Sequence, residues 1–375
     1  MAMNDKHLHI VSFDVPYPAN YGGVIDVFHR IRALANNGVA VHLHCYDYGR
    51  GRQQLLEEMC AEVRYYERDM SFARQLSSKP FIVASRCNAQ LVDDLLSDGY
   101  PVLCEGLHTT SIVADSRLSN RKIYVRAHNV EHDYYRLLAA SERNPLRRLY
   151  FNVEAWRLRR YEPILAKVSG VFAISQSDAD YFSGKYPNVM FVPGFSAFDA
   201  VRSKTGKGDY VLYHGNLSVA ENADAAEWLL LNVFSRLDFA CVIAGLNPSR
   251  RLEEAVAKVP NVRLVANPTD EAMAALIADA QVNVLVTHQP TGMKLKLLNA
   301  LYNGRHCLAN PAMLTGTTLD GLCCVASDAE TMRAEVAELF ARPFCEADIA
   351  LREQGLAGVC DNNANALKII GAIEW

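Results

Sequence analysis

The sequence predicts an α/β protein of two domains, each a doubly wound parallel sheet. Three observations predict it. Strand and helix patterns alternate along the chain, a Pro- and Gly-bearing stretch interrupts them near the middle, and a second strand–helix series follows. At 375 residues the chain is also too long for one compact core, and two domains of roughly 150–200 residues suit its surface-to-volume balance.

The elements follow in order. His9 to Phe13 is a short apolar strand, and Asp14 to Gly23 is a turn-rich loop. Val24, Val27, Phe28, Ile31 and Leu34 then recur at helical spacing, with Gly38 as the stop. Val39 to Cys45, Pro101 to Glu105, Lys122 to Ala127 and Gly170 to Ile174 are further strands, each followed by polar or helical sequence. Pro193, Gly194, Gly206 and Gly208 break the rhythm. The second series has strands at Tyr210 to Tyr213, Ala240 to Ala244, Val262 to Val265, Val282 to Val286 and His306 to Ala309, with a clear helix at Asn222 to Phe234. The predicted organisation is therefore a first domain at 1–193, a linker at 194–209 and a second domain at 210–358. A terminal helical segment, 359–375, is expected to pack back on the first domain. In open α/β sheets ligands bind beyond the carboxyl ends of the strands, so two facing domains would share a cleft.

Composition narrows the function classes. A hydrophobic content of 50% with 21% charged residues is ordinary for a globular protein. A net charge of −4 and a pI near 6.3 argue against general nucleic-acid binding, which needs a basic domain. No run approaches the ~18 apolar residues of a membrane span. Met1 to His9 is polar and leads into a strand, so no signal peptide is expected. Ten cysteines lie scattered without any C-x-x-C, which fits free thiols in a reducing cytoplasm. Arg143 to Arg160 is a basic segment predicted as a long helix with a solvated charged face. The alternative is a membrane-surface role for that face, which would place a cytoplasmic protein at the inner face of the membrane.

Three loops and one helix start carry candidate chemistry. In Pro16-Tyr17-Pro18-Ala19-Asn20-Tyr21-Gly22-Gly23 two prolines stiffen the loop, and Gly22 and Gly23 let backbone N–H groups approach a phosphate or sugar. The second loop, Arg126 to Tyr135, crowds Arg126, His128, Glu131, His132 and Asp133 at a strand exit. His128 and His132 have the spacing of helical metal ligands, but no third ligand is obvious and the pattern is not H-E-x-x-H; His128 can instead bond a sugar hydroxyl or move a proton, and the plain alternative is a cap at Asn129 with Glu131 and His132 on the surface. In the third loop, Tyr213 to Ser218, Gly215 and Asn216 tolerate left-handed backbone close to a ligand. Thr291-Gly292-Met293-Lys294-Leu295-Lys296 opens a helix with two lysines at its positive end, which suits a phosphate; the plain alternative is a core helix with solvated lysines. Asp178-Ala179-Asp180 imitates a metal-binding D-x-D but follows Ser175-Gln176-Ser177, a helix start with acids in the first turn.

Taken together, these segments resemble the family 4 (group 1) retaining glycosyltransferases of GT-B fold. The resemblance spans essentially the whole chain. It rests on the Gly22-Gly23 loop, Arg126-Ala127-His128-Asn129, Phe172-Ala173-Ile174-Ser175 with Asp178, Tyr213-His214-Gly215-Asn216, and Gly292-x-Lys294-x-Lys296-Leu297-Leu298-x-Ala300-Leu301 with Gly304. It implies two Rossmann-like domains facing across a cleft. It further implies transfer of a sugar from a nucleotide-sugar co-substrate to a glycan, lipid-linked or small-molecule acceptor, with anomeric configuration retained and no metal. Surface polysaccharide synthesis is the implied setting. The resemblance assigns His128 to the transferred sugar, Lys294 to the diphosphate with the N–H groups of Gly292, Met293 and Lys294, and Gly22 and Gly23 to diphosphate or acceptor. Gly215 and Asn216 complete the donor side. Thr291 and Asn299 stand where family members often carry a Glu pair, and Asn299 is left to bond the ribose. A catalytically silent binding module and a sugar-nucleotide epimerase are the alternatives compatible with these departures.

Overall fold

The computed structural model describes residues 6–142, 144–288, 294–317, 319 and 321–375. The chain divides into two units, Met1–Ala197 with Gly358–Trp375, and Phe198–Ala357. The break lies between residues committed to opposite sides. Phe195 is buried in the first core, whereas Ser203 Oγ donates to the Gly304 carbonyl at 2.6 Å and Gly208 N donates to Gln281 Oε1 at 2.7 Å in the second.

The first unit holds a seven-stranded parallel sheet: β1 (Lys6–Ser12), β2 (Val39–Asp47), β3 (Glu62–Glu67), β4 (Val102–Glu105), β5 (Ile123–Ala127), β6 (Gly170–Ala173) and β7 (Val189–Phe191), ordered β3-β2-β1-β4-β5-β6-β7. The central strands are apolar on both faces because helices cover both, the usual state of a parallel sheet. The order reverses direction beside β1, between β2 and β4, so the loop after β1 lies at the topological switch point. That loop feeds the Gly22–Asn36 helix, whose Val24, Val27, Phe28, Ile31 and Leu34 enter the core; Gly38 ends it at φ 81°. The Asn362–Ala372 helix packs on it, adding Ala366, Ile369, Ile370 and Ile373 to the same apolar cluster. Polar ties fix this packing, with Asn37 Nδ2 donating to Asn363 Oδ1 and Asn362 bonding both the N–H and the carbonyl of Ser196.

The second unit holds a six-stranded parallel sheet: β8 (Val211–Asn216), β9 (Cys241–Leu246), β10 (Val262–Ala266), β11 (Val282–Leu285), β12 (His306–Ala309) and β13 (Cys324–Val325), ordered β10-β9-β8-β11-β12-β13. At its centre β8 and β9 pair Gly215 with Gly245, where a Cβ on Gly245 would collide with the Gly215 carbonyl oxygen. Glycine is required there by close approach, not by left-handed backbone.

Three strands escape the hydrophobic pattern: β3, β7 and β13. All are sheet edges, short or rich in polar residues, which is how edges avoid pairing with other chains. No described helix is long and apolar enough to cross a membrane. Truncating Ile369 to alanine leaves a cavity between the terminal helix and Gly22–Asn36. It should cost about 2–5 kcal/mol in urea unfolding monitored on the first unit, while the second unit's transition stays in place.

Candidate active site

In the first unit the functional side chains stand on a buried ion-pair network. Asp26, on the second turn of the Gly22–Asn36 helix, accepts from Arg30, from Arg126 Nη2 at 3.0 Å and Nε at 3.2 Å, and from the Phe195 N–H at 2.8 Å. Arg30 also donates to Glu105 at the end of β4, and Arg126 donates to the carbonyls of Val192 and Pro193. Burial alone would push the Asp26 carboxyl up, but Arg126 and Arg30 outweigh it and hold the group well below the usual carboxylate range. His128, just past β5, places Nε2 2.9 Å from Glu105 Oε2. Glu105 is an acceptor beside Arg30, so Nε2 carries the proton and Nδ1 is the ring atom left to act.

Asp26, Glu105 and His128 bring candidate ligand atoms within 4.8 Å of one another, a spacing a metal ion could use. The two guanidinium groups of Arg30 and Arg126 already lie against both carboxylates, so the donor set does not fit a further dication. His128 and His132 do not lie on one helix. The helix begins only at Glu131, and His132 turns to Glu162 at 3.0 Å while His128 serves Glu105.

Gly22 opens its helix without a side-chain cap at Tyr21. Unpaired N–H groups of the first turn therefore remain for an anion. Gly23 serves packing, since a Cβ there would sit 2.6 Å from the Phe13 ring, which meets His108 tilted and His128 edge-on. Arg50 straps the loop by bonding Pro18 and Asn20, and Tyr21 donates to Asp14 at 2.6 Å.

Three residues near this loop have strongly displaced ionisation. Glu131 is pushed up to about 8, first by burial and then by Asp178, so it is an uncharged acid at neutral pH. Burial also drives His108 well below its usual range, and Arg86 down to about 10. Glu131 had been visible in sequence only as one polar residue among several; nothing there betrays burial. Beyond the carboxyl ends of β2 and β3 lies a hollow of about 750 Å³ lined by Tyr48, Arg68, Asp69, Ser71, Arg74 and Asn88, which no motif announces.

In the second unit the candidate donor residues gather where β8 ends and the Leu295–Asn303 helix begins. Lys294 is the N-cap, and among the described residues no side-chain bond caps the helix. Of the two lysines only Lys296 is helical, and the charge of Glu221 acts on both ammonium groups against the effect of burial. Lys296 Nζ donates to Asn222 and lies over the Tyr213 ring. It would sit 2.9 Å from a Cβ on Gly215, so that glycine makes room for the lysine. Gly215 and Asn216 are not left-handed as expected: both belong to β8, and Asn216 Oδ1 accepts from Ser218 N and Oγ.

Burial lowers Lys294 and Lys296 to about 8 each, with Glu221 opposing the shift. His214 falls to about 3, first through burial and then through Lys296, and its Nε2 is buried without a hydrogen-bond partner among the described residues. Glu221 accepts from Thr287 Oγ1 and from His288 N at 3.0 Å, and its charge acts on both lysines. Asn299 is engaged by Asn303 Nδ2 at 2.9 Å on its own helix. Gly292, Met293 and Thr291 lie outside the described residues.

Glu131 makes stability pH-dependent with a definite sign. Its folded pKa lies above its unfolded one, so its contribution is full below about 4.5 and is lost as pH rises toward about 8. Relative to Glu131→Gln, the wild type should therefore lose melting temperature as pH rises through that window, as thermal unfolding of both at stepped pH will show.

The comparisons with known proteins accord with this geometry. A family model described as "Glycosyl transferases group 1" matches residues 208–342. An uncharacterized 44.6 kDa protein in the cps region of Klebsiella pneumoniae is 28% identical over 318 residues, covering 78% of this chain and 80% of that one. Sucrose-phosphate synthase from Thermosynechococcus elongatus superposes with a TM-score of 0.70 at 14% identity, over 98% of both chains. A Staphylococcus aureus TarM mutant, in complex with fondaparinux, alpha-GlcNAc-glycerol and UDP, superposes with a TM-score of 0.63 at 10% identity, over 98% of this chain and 99% of that one. The chain thus has the GT-B fold, and its second unit carries a domain that matches the group 1 glycosyl transferases.

Proposed function

We propose that the protein transfers a sugar from a nucleotide-sugar donor to a glycan or glycoconjugate acceptor, retaining anomeric configuration and needing no metal, in surface polysaccharide assembly. The observation that carries this reading is the pair of desolvated lysines, Lys294 and Lys296, at an uncapped helix start beside Gly215. Two desolvated ammonium groups at the positive end of a helix dipole, with the charge of Glu221 beside them, form a site that favours an anion. A nucleoside diphosphate supplies that charge. The cps-region relative and the UDP-bound neighbour support the setting and the donor class.

In the proposed reaction the bond from the anomeric carbon to the diphosphate oxygen breaks, and its electron pair leaves with that oxygen. The acceptor hydroxyl bonds to the same face of the sugar and gives its proton to the departing oxygen. Lys294 and Lys296 stabilise the charge that develops there, replacing a metal in that role. His128, held at Nε2 by Glu105, is assigned to the transferred sugar, with the proton pattern of the ring fixed by that bond. The hollow beside Arg68 and Arg74 is assigned to the acceptor.

Thermal shift against UDP-, GDP-, ADP- and dTDP-sugars, with chelator present, tests the donor site. One nucleotide class should raise the melting temperature, by mass action on the native state. Lys294→Ala and Lys296→Ala should each weaken that binding about tenfold or more. Affinity for the nucleotide should also fall as pH rises through about 8, where both ammonium groups lose their protons. A flat panel, or turnover that chelator abolishes, would overturn the proposal.

A further inference from the structure

The Pro145–Tyr161 helix is turned inside out. Its buried side is Glu154, Ala155 and Leu158, whereas Leu146, Leu149, Tyr150, Val153 and Trp156 stand exposed, Leu146 at 77%. At 3.6 residues per turn these five fall within an arc of about 120° on the outer face. An outward apolar stripe is the reverse of what a water-facing helix shows.

A second exposed apolar group lies against it. The short helical turn Phe72–Gln75 is tied to the long helix by Arg157 Nη1, which donates to the Gln75 carbonyl at 2.8 Å. Phe72 at 69% and Leu76 at 70%, with Met70, extend the patch. Around it the long helix carries five arginines, at 147, 148, 157, 159 and 160, against a single glutamate. That glutamate, Glu154, is buried and bound to the Phe81 N–H and to Arg157. The Arg160 guanidinium lies 4.9 Å over the Trp156 ring, pairing a charge with an amphipathic aromatic.

We infer that this face of the first unit docks on an anionic lipid bilayer. Leucines, Phe72 and Trp156 enter the headgroup boundary while the arginines meet lipid phosphates, the two-part attraction that holds interfacial helices. Charge selects this occupant over a second copy of the chain. A two-fold interface would press the same arginine-rich face against itself, and the helix's own carboxylate, Glu154, is buried and already bound to Arg157. The chain's net charge of −4 makes this local excess a property of the patch and not of the protein as a whole. Met70 and Arg74 also line the hollow beyond β2 and β3, so docking brings that hollow to the headgroup layer. The inference stands on unit one alone and does not rest on the transferase reading.

Flotation of the full chain with vesicles tests it. The protein should float with vesicles of phosphatidylglycerol mixed with phosphatidylcholine and not with phosphatidylcholine alone, and added salt should release it. The combined Leu146→Ser, Leu149→Ser, Trp156→Ser variant and the Arg148→Glu, Arg159→Glu variant should each lower binding about tenfold or more at an unchanged melting temperature, since every substituted side chain is exposed. Absence of flotation, or flotation indifferent to both variants, would overturn the inference. So would a dimer in sedimentation velocity that the serine variant dissolves without any vesicle binding.

Discussion

The first unit depends on one interaction, the buried exchange of charge among Asp26, Arg30, Glu105 and Arg126. It joins the Gly22–Asn36 helix to β4, to β5 and to the segment Val192–Phe195 that leaves the sheet. Charges so deep are tolerated only as a matched set, since removing one partner strands the others in a medium that cannot solvate them. The set also does more than hold elements together. Glu105 spends one oxygen on Arg30 and the other on His128, so the ring that the transferase reading assigns to the sugar is aimed by the same network that closes the core.

The second unit treats charge in the opposite way. Lys294 and Lys296 are desolvated in the field of Glu221, whose carboxylate also accepts from Thr287 and His288. Balance in the first unit gives rigidity, and imbalance in the second leaves favourable energy for an incoming anion. A site that binds a leaving diphosphate gains most when its dipoles are fixed before the ligand arrives, because no reorganisation is then needed as charge develops.

Glycine in this chain acts mainly through size. Gly23 yields to the Phe13 ring, Gly215 to Lys296, and Gly245 to the carbonyl of Gly215. None of the three has a left-handed backbone, although sequence reasoning credits such glycines with conformational freedom first. The space they leave is filled by another group of the same unit, so their function lies in what they allow a neighbour to reach.

The sequence by itself determined the α/β class and the run of central strands, because parallel strands buried on both faces must be continuously apolar and their helices must keep a 3.6-residue period. It also marked the loops beyond β1, β5 and β8, by glycines and dense polar runs at the carboxyl ends of parallel strands, where α/β sheets bind ligands. The edge strands β3, β7 and β13 stayed hidden because an edge is selected for polarity and shortness, not for hydrophobic pattern. Tertiary structure alone decided the partners. Glu105 and Asp26 are ordinary letters until the sheet order brings β4 and β5 beside the helix after β1, and Glu131 gains its raised pKa only from burial beside Asp178. The same holds for the apolar outer face of Pro145–Tyr161: its period is readable, but which side of an amphipathic helix meets the core depends on what packs against it, and packing is a property of the fold.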